Sequence, residues 1–437
     1  MTSDEVAVVG LGRSGRAVSS LLESTGARVY GSDAAQPPGH DLERIARAAY
    51  VVVSPGVPPN APPLVRAREA GRPIFSEIEI ALRALGSAKY VAVTGTNGKT
   101  TVTALIAHLL RALGHATVEA GNIGTPLSEV AMAPTRPAWV AMELSSFQLH
   151  DTPSVNPTVA VLTNLAPDHL DRYESLEDYY ADKMLLFRHA TAASVRVVNA
   201  DDPEVVRRTA GLPGIARRFS LSDAHADACF DAARGVLMLA GAPLVERERL
   251  PLLGDHNVAN ALAASLAVWQ AVPPEQATLA RAQLAVGLST FRAIPHRLEP
   301  LGERDGVLWV NDSKATNIGA AKVALEAMTR PTILLLGGRH KGEPYTALLD
   351  AMRRPSGERR VKVVLAYGES APLVEADLAA HVAVERLGSS FPQVVDRARA
   401  LAAPGDVVLL APACSSYDMF KNYEERGAEF RRLALPQ

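Results

Sequence analysis

Cysteine is nearly absent from the 437-residue chain: only Cys229 and Cys414 occur, far apart and in no C-x-x-C pair. This excludes a disulfide framework and a thiolate zinc cluster, and it suits a reducing compartment. Long apolar runs are missing too. No stretch approaches the roughly 18 residues that a membrane-spanning helix requires. Neither sign of charge dominates: 45 Lys and Arg stand against 47 Asp and Glu, so nothing points to nucleic acid or a membrane as partner. Asp4 and Glu5 precede only a short apolar run, which is not a signal-peptide pattern. Together these absences predict a cytoplasmic protein. Core material is plentiful, with 48% hydrophobic and 21% charged residues, and the length allows roughly two to four ordinary globular domains.

The chain opens on an apolar run, VAVVGLGRSG, that empties into Gly10, Gly12 and Gly15, and Asp33 follows 18 residues after the last glycine. Alone, this G-x-G-x-x-G fingerprint names a dinucleotide-dependent oxidoreductase. Strand–helix–strand patterning through ARVYGSD (27–33) and YVVVSPGVPP (50–59) predicts a parallel sheet. The series restarts near residue 89. Strands are expected at 138–144, 158–165 and 195–200, short strands and turns across 214–253, and a helix over 258–271. A third series, after AIPHRLEP, places strands at 307–313, 332–338, 361–368 and 406–413. The expectation is an α/β protein of three units, 1–89, 90–295 and 296–437.

VTGTNGKTT (93–101) changes the reading. It follows a strand and opens an amphipathic helix that keeps its apolar spacing to Leu113. Backbone N–H groups at such a helix start can cradle phosphate oxygens. Gly95 and Gly98 allow close approach, Lys99 can reach the outer phosphates, and Thr100 can ligate Mg²⁺. Val93 stands where the usual phosphate-loop pattern has its first glycine, so the loop is a variant. A second nucleotide motif is hard to reconcile with a plain dehydrogenase. It leaves the first glycines free to hold some other diphosphate.

GTNGKT (95–100), GNIG (121–124), ELSSFQL (143–149), NLAPDHLDRY (164–173), YADKMLLF (180–187), HNVANALAA (256–264), PHRLE (295–299), NDSKATN (311–317) and PACSSYDMFKNYEERG (412–427) resemble the motifs of the Mur ligases and their folylpolyglutamate synthase relatives. The match spans nearly the whole chain and resembles the D-glutamate-adding branch most. It implies a Rossmann-like N-terminal domain, a central P-loop ATPase-type domain and a C-terminal Rossmann-like α/β domain. The implied reaction is ATP-dependent amide formation between UDP-N-acetylmuramoyl-L-alanine and D-glutamate in cytoplasmic peptidoglycan synthesis, by way of an acyl phosphate and a tetrahedral intermediate. A monomer is the expectation. The competing readings are a related ligase with another amino acid, an NAD-dependent oxidoreductase, and a non-catalytic nucleotide module.

The resemblance also assigns residues. ATP is expected on Gly95, Thr96, Asn97, Gly98, Lys99, Thr100 and Thr101, with Asn257 and Asn260 near adenine and Arg297 and Asp312 from the third domain. Catalysis falls to Lys99, Glu143, His169 and Lys183. Two Mg²⁺ sites are implied, on Thr100, Glu143, His169 and Lys183, with Lys183 converted by CO₂ to a carbamate. The UDP substrate is assigned to Gly12, Arg13, Ser14, Asp33, Ser54, Pro55, Gly56, Asn122 and Ser145. D-Glutamate is assigned to Lys314, Thr316, Lys341, Ser416, Tyr417 and Tyr423. Read as residues alone, several keep plainer alternatives. Glu143 could be a helix cap or surface acid, Asn122 a left-handed turn residue, Asn257 a helix cap, His169 a loop residue, and Lys183 part of a solvated face.

Overall fold

The structure, a computed structural model, describes residues 5–36, 39–168, 172–354 and 356–435. Three sheets organise them. The first holds β1 (Glu5–Val9), β2 (Arg28–Ser32), β3 (Val51–Val53) and β4 (Ile74–Ser76) in the order β2-β1-β3-β4. All its pairings are parallel. The chain leaves β1 for β2 on one side and then crosses to β3 on the other. The strand order therefore reverses beside β1, and a crevice opens at its carboxyl end.

The second sheet contains β5 (Tyr90–Thr94), β6 (Thr117–Gly121), β7 (Trp139–Glu143), β8 (Val159–Leu162), β9 (Val195–Asn199), β10 (Ile215–Ser220), β11 (Ala228–Asp231), β12 (Val236–Leu239) and β13 (Ala242–Glu246). Its order is β13-β12-β11-β10-β9-β8-β5-β7-β6. Seven strands run parallel and the last two return as antiparallel hairpins. Every residue of β5, β7 and β8 is buried, as expected for strands covered by helices on both faces. Here the order reverses at β5, between β7 and β8.

The third sheet contains β14 (Glu299–Arg304), β15 (Val307–Asn311), β16 (Thr332–Gly337), β17 (Val361–Tyr367), β18 (Val384–Arg386) and β19 (Val407–Leu410) in the order β14-β15-β19-β16-β17-β18. Late-arriving β19 lies between β15 and β16 and is parallel to both.

Residues through Leu250 together with Val258–Phe291 form one compact unit; Pro251–Asn257 with Arg292–Gln437 form another. Two of the α/β series expected from the sequence thus share a unit. The physical reason is a common core. Val6, Val8 and Val52 of the first sheet join Ile78 and Leu82 of the helix Glu77–Leu85, and continue to Leu127, Met142 and Leu162. In the other unit, apolar side chains fill both faces of the third sheet. No helix among the described residues is long and apolar enough to cross a membrane.

Candidate active site

The phosphate-type loop lies at the carboxyl end of β5, where the strand order reverses. Its helix, Lys99–Ala112, starts from Gly98 at φ +81°. Gly95 has φ +144°, and a Cβ there would stand 2.0 Å from Thr163 Oγ1, so only glycine fits. The loop is held from the end of β8. Asn164 accepts from Thr96 N through its carbonyl (2.9 Å) and from Asn97 N through Oδ1 (2.8 Å), and its amide donates to the Asn97 carbonyl (3.0 Å). Thr96 Oγ1 donates to the Ala166 carbonyl and accepts from Ala166 N, both at 3.0 Å. Asn164 did not emerge from the sequence as a site residue; its place inside the NLAPDHLDRY match was the available signal. Asn260 also packs against this loop, since a Cβ at Gly98 would meet its Oδ1 at 2.4 Å. Asn257 is no cap: the helix Asp255–Trp269 starts before it, and its amide donates to the Leu253 carbonyl at 2.8 Å.

Two lysines converge on one oxygen. Lys99 Nζ donates to the Gly95 carbonyl at 2.9 Å and to Thr96 O at 2.8 Å, and Lys183 Nζ donates to the same Gly95 carbonyl at 2.8 Å. Lys183 comes from the helix Leu176–Met184 and is 1% exposed, so it does not belong to a solvated face. The Tyr179 ring covers its amine at 4.4 Å. Burial, and next the charge of Lys99, bring the Lys183 pKa down to about 6. Near neutral pH Lys183 is therefore mostly an uncharged amine.

Glu143 ends β7 and is 2% exposed, which rules out a surface acid. Asn122 Nδ2 donates to its Oε1 at 2.8 Å. Its Oε2 is buried and has no hydrogen-bond partner among the described residues. An orphaned, buried carboxylate oxygen is costly unless something else binds it. A hard oxygen donor of this kind fits Mg²⁺, as does the Thr100 hydroxyl. Lys183 would join them only as an oxygen-bearing carbamate. Among the described residues, no group of three or more His, Cys, Asp or Glu is placed to hold a metal ion. His169 lies outside them.

Asn122 is not a left-handed turn residue; the positive φ angles flanking it belong to Gly121 and Gly124. Ser145 caps the helix Ser146–His150 in a reciprocal box with Gln148.

The remaining residues assigned to the UDP substrate gather at the carboxyl end of the first sheet. Gly12 caps the helix Arg13–Ser24. A Cβ at Gly15 would lie 1.9 Å from the Gly10 carbonyl, so the turn closes only on glycine. Ser54 Oγ donates to the same carbonyl at 2.6 Å. Asp33 accepts from Leu11 N (2.6 Å) and Ala35 N (2.9 Å), which hold its carboxyl below the usual range. It braces the glycine turn. Arg13 reaches Glu129 at 3.0 Å and the Gly124 carbonyl at 3.1 Å. Ser14 and Pro55 are half-buried and Gly56 is exposed.

In the third sheet, the adjacent carboxyl ends of β15, β19 and β16 collect the residues assigned to the amino acid. Arg339, two residues past β16, exchanges backbone hydrogen bonds with Ser415 after β19 (2.9 and 3.2 Å). Lys341 Nζ donates to Thr316 Oγ1 at 3.4 Å, while the neighbouring His340 shares a hydrogen bond with the buried Tyr345 hydroxyl at 3.2 Å. Lys314 Nζ stands 3.9 Å from the centre of the Tyr423 ring. Ser416 is buried, whereas Tyr417 is 66% exposed. Asp312 is buried, and burial raises its carboxyl to about 7 despite the Leu298 N–H and the charge of Arg297. Sequence reasoning missed Arg426. This buried guanidinium donates to the carbonyls of Ser313 and Cys414 and to Ser313 Oγ (2.9–3.2 Å), and so braces the loops bearing Lys314 and Ser416.

Largely parallel sheets with loops massed at the carboxyl ends of their strands define a multidomain α/β protein. Residues 93–268 match the Mur ligase middle domain, and 296–414 match the Mur ligase, glutamate ligase domain. UDP-N-acetylmuramoylalanine--D-glutamate ligase of Anaeromyxobacter dehalogenans (strain 2CP-C) is 40% identical, over 99% of this chain and 97% of its own. The enzyme of the same name from Chromobacterium violaceum is 40% identical over 97% and 96%. Among solved structures, the UDP-N-acetylmuramate-alanine ligase of Thermotoga maritima superposes with TM-score 0.61 at 19% identity, covering 98% of both chains. The chain belongs to the Mur ligase family.

Proposed function

We infer that this chain is an ATP-dependent ligase that forms the amide bond between UDP-N-acetylmuramoyl-L-alanine and D-glutamate, releasing ADP and phosphate. The full-length 40% identity to ligases of that name supports the substrate pair. The observation that carries the chemistry is the pair of lysines, Lys99 and Lys183, on the Gly95 carbonyl.

In this reading residues 1–89 are a Rossmann-like domain whose glycine turn holds the diphosphate of the UDP substrate. Residues 90–295 are a P-loop ATPase-type domain, and 296–437 a Rossmann-like α/β domain that holds D-glutamate. Amides at the start of the helix Lys99–Ala112 have no preceding turn to bond and can face phosphate oxygens. Lys99 stabilises charge on the transferring phosphoryl group as the substrate carboxylate becomes an acyl phosphate. Lys314, Lys341, Thr316 and Ser416 orient the two carboxylates of glutamate so that its amine meets the acyl carbon. Asn260 and Asn257 are assigned to adenine, Arg297 to phosphate and Asp312 to a ribose hydroxyl.

Mg²⁺, when bound to Thr100, Glu143, His169 and modified Lys183, supplies positive charge between the anionic substrates. Lys183 suits that modification: its uncharged amine can attack CO₂ and lose a proton, leaving a carbamate. The lack of a charge excess and of a long apolar run supports a cytoplasmic location, and a monomer is the expected assembly.

The test is phosphate release from ATP. Release should require both UDP-N-acetylmuramoyl-L-alanine and D-glutamate. Release supported by L-lysine or diaminopimelate instead would move the assignment to another branch of the family.

A further inference from the structure

We propose that Asn122 is a positioning residue for Glu143: its amide occupies one carboxylate oxygen so that the other alone is presented to a divalent cation. This rests on the reading of Glu143 as a metal ligand given above.

The two residues are joined twice. Asn122 N donates to the Glu143 carbonyl at 2.9 Å, and Asn122 Nδ2 donates to Glu143 Oε1 at 2.8 Å. The strands are in register at this point, with Gly121 of β6 opposite Glu143 of β7. Gly121 has φ +99°, and a Cβ there would stand 2.2 Å from the Glu143 carbonyl. The glycine lets the chain close onto Glu143 and turn the next side chain back to its carboxylate. Glu143 Oε2 is left buried without a partner among the described residues.

The chemistry of the donor matters. A carboxylate with both oxygens free can rotate, or take a cation through either oxygen or both. Fixing one oxygen removes that freedom before the ion arrives, as outer hydrogen bonds do in metal sites generally. A lysine or arginine in place of Asn122 would also fix Oε1, but would cancel the charge that the cation needs. An amide is neutral, so Glu143 keeps its full negative charge while losing its rotational freedom. One N–H of the Asn122 amide is committed to Glu143; its other N–H and its Oδ1 stay available for the substrate role that the family resemblance gives it.

The test uses the full chain with ADP and Mn²⁺ as the probe, and counts free Mn²⁺ by electron paramagnetic resonance. Asn122→Ala should weaken Mn²⁺ binding about tenfold or more, leave metal-free ADP binding unchanged, and move the KM for the UDP substrate less than Mn²⁺ affinity. Asn122→Ser is measured in parallel and carries the test if the alanine variant does not fold. Unchanged Mn²⁺ affinity with a raised KM for the UDP substrate would overturn the proposal and make Asn122 a substrate contact. Glu143→Gln separates the two levels. If it also leaves Mn²⁺ affinity intact, the metal reading of Glu143 fails; if it alone weakens Mn²⁺, only the role of Asn122 fails.

Discussion

Lys183 shows what burial does to a single side chain. Its pKa near 6 comes first from lost solvation and then from Lys99, which shares its acceptor. With ¹³C-bicarbonate present, the wild-type protein should give a carbamate carbon resonance that Lys183→Ala lacks. The same variant should lose most activity and recover part of it with short carboxylates. Full activity without additives would rule out the modification.

Asp312 makes the opposite case. Its carboxyl titrates near 7 in the folded chain, against about 3.9 when unfolded. Between those values the folded state binds more protons, so stability falls as pH rises from 4 to 7 and stays lower above. Asp312→Asn should therefore stabilise the ligand-free protein at pH 8 by about 4 kcal/mol, with a smaller gain at pH 5. Urea titrations at the two pH values check the sign. Activity should fall, since a destabilised group at a site is kept for function.

At the scale of elements, turns and caps decide where site residues stand. Gly95→Ala would drive a methyl into Thr163 and displace the loop by an ångström or so, which should cut turnover about a hundredfold. Ser145 separates two roles cleanly. If it is chiefly a cap, Ser145→Ala costs about 1 kcal/mol of stability and leaves the KM for the UDP substrate unchanged. A raised KM at unchanged stability would make it a substrate contact instead. Fully buried strands are legible in the sequence. Val159–Leu162 and the Ile333–Leu336 stretch of Thr332–Gly337 are continuous apolar runs that water excludes wherever they pair. Half-buried edge strands are not legible there. Thr117–Gly121 alternates too weakly to signal a strand, and its half-buried pattern exists only because β7 lies beside it. Val384–Arg386 is the edge of its sheet for the same reason.

For the whole molecule, the two compact units predict two unfolding transitions in calorimetry. ADP with Mg²⁺ should raise the one containing residues 93–101, by about 2.7 kcal/mol at a hundred times its Kd. A single transition, with ADP shifting the entire profile, would mean that the units unfold as one.

The chemistry on offer is written in local stretches of residues. Glycines at fixed spacing after a buried strand, with a lysine and hydroxyls at a helix start, specify a phosphate-handling α/β protein, because these depend on local backbone geometry; the ligase reading is what the family resemblance of the motifs implies. Which groups meet depends on the folded chain. Gly95, Lys99 and Lys183 share an oxygen, and Asn122 turns to Glu143, because β5, β6, β7 and β8 lie side by side in an order unlike their order in the chain. The insertion of β19 between β15 and β16 brings Ser416 beside the loops of Lys314 and Lys341 in the same way. Burial, and with it the charge state of Lys183 and Asp312, is a property of those neighbours and is not written in any local stretch of residues.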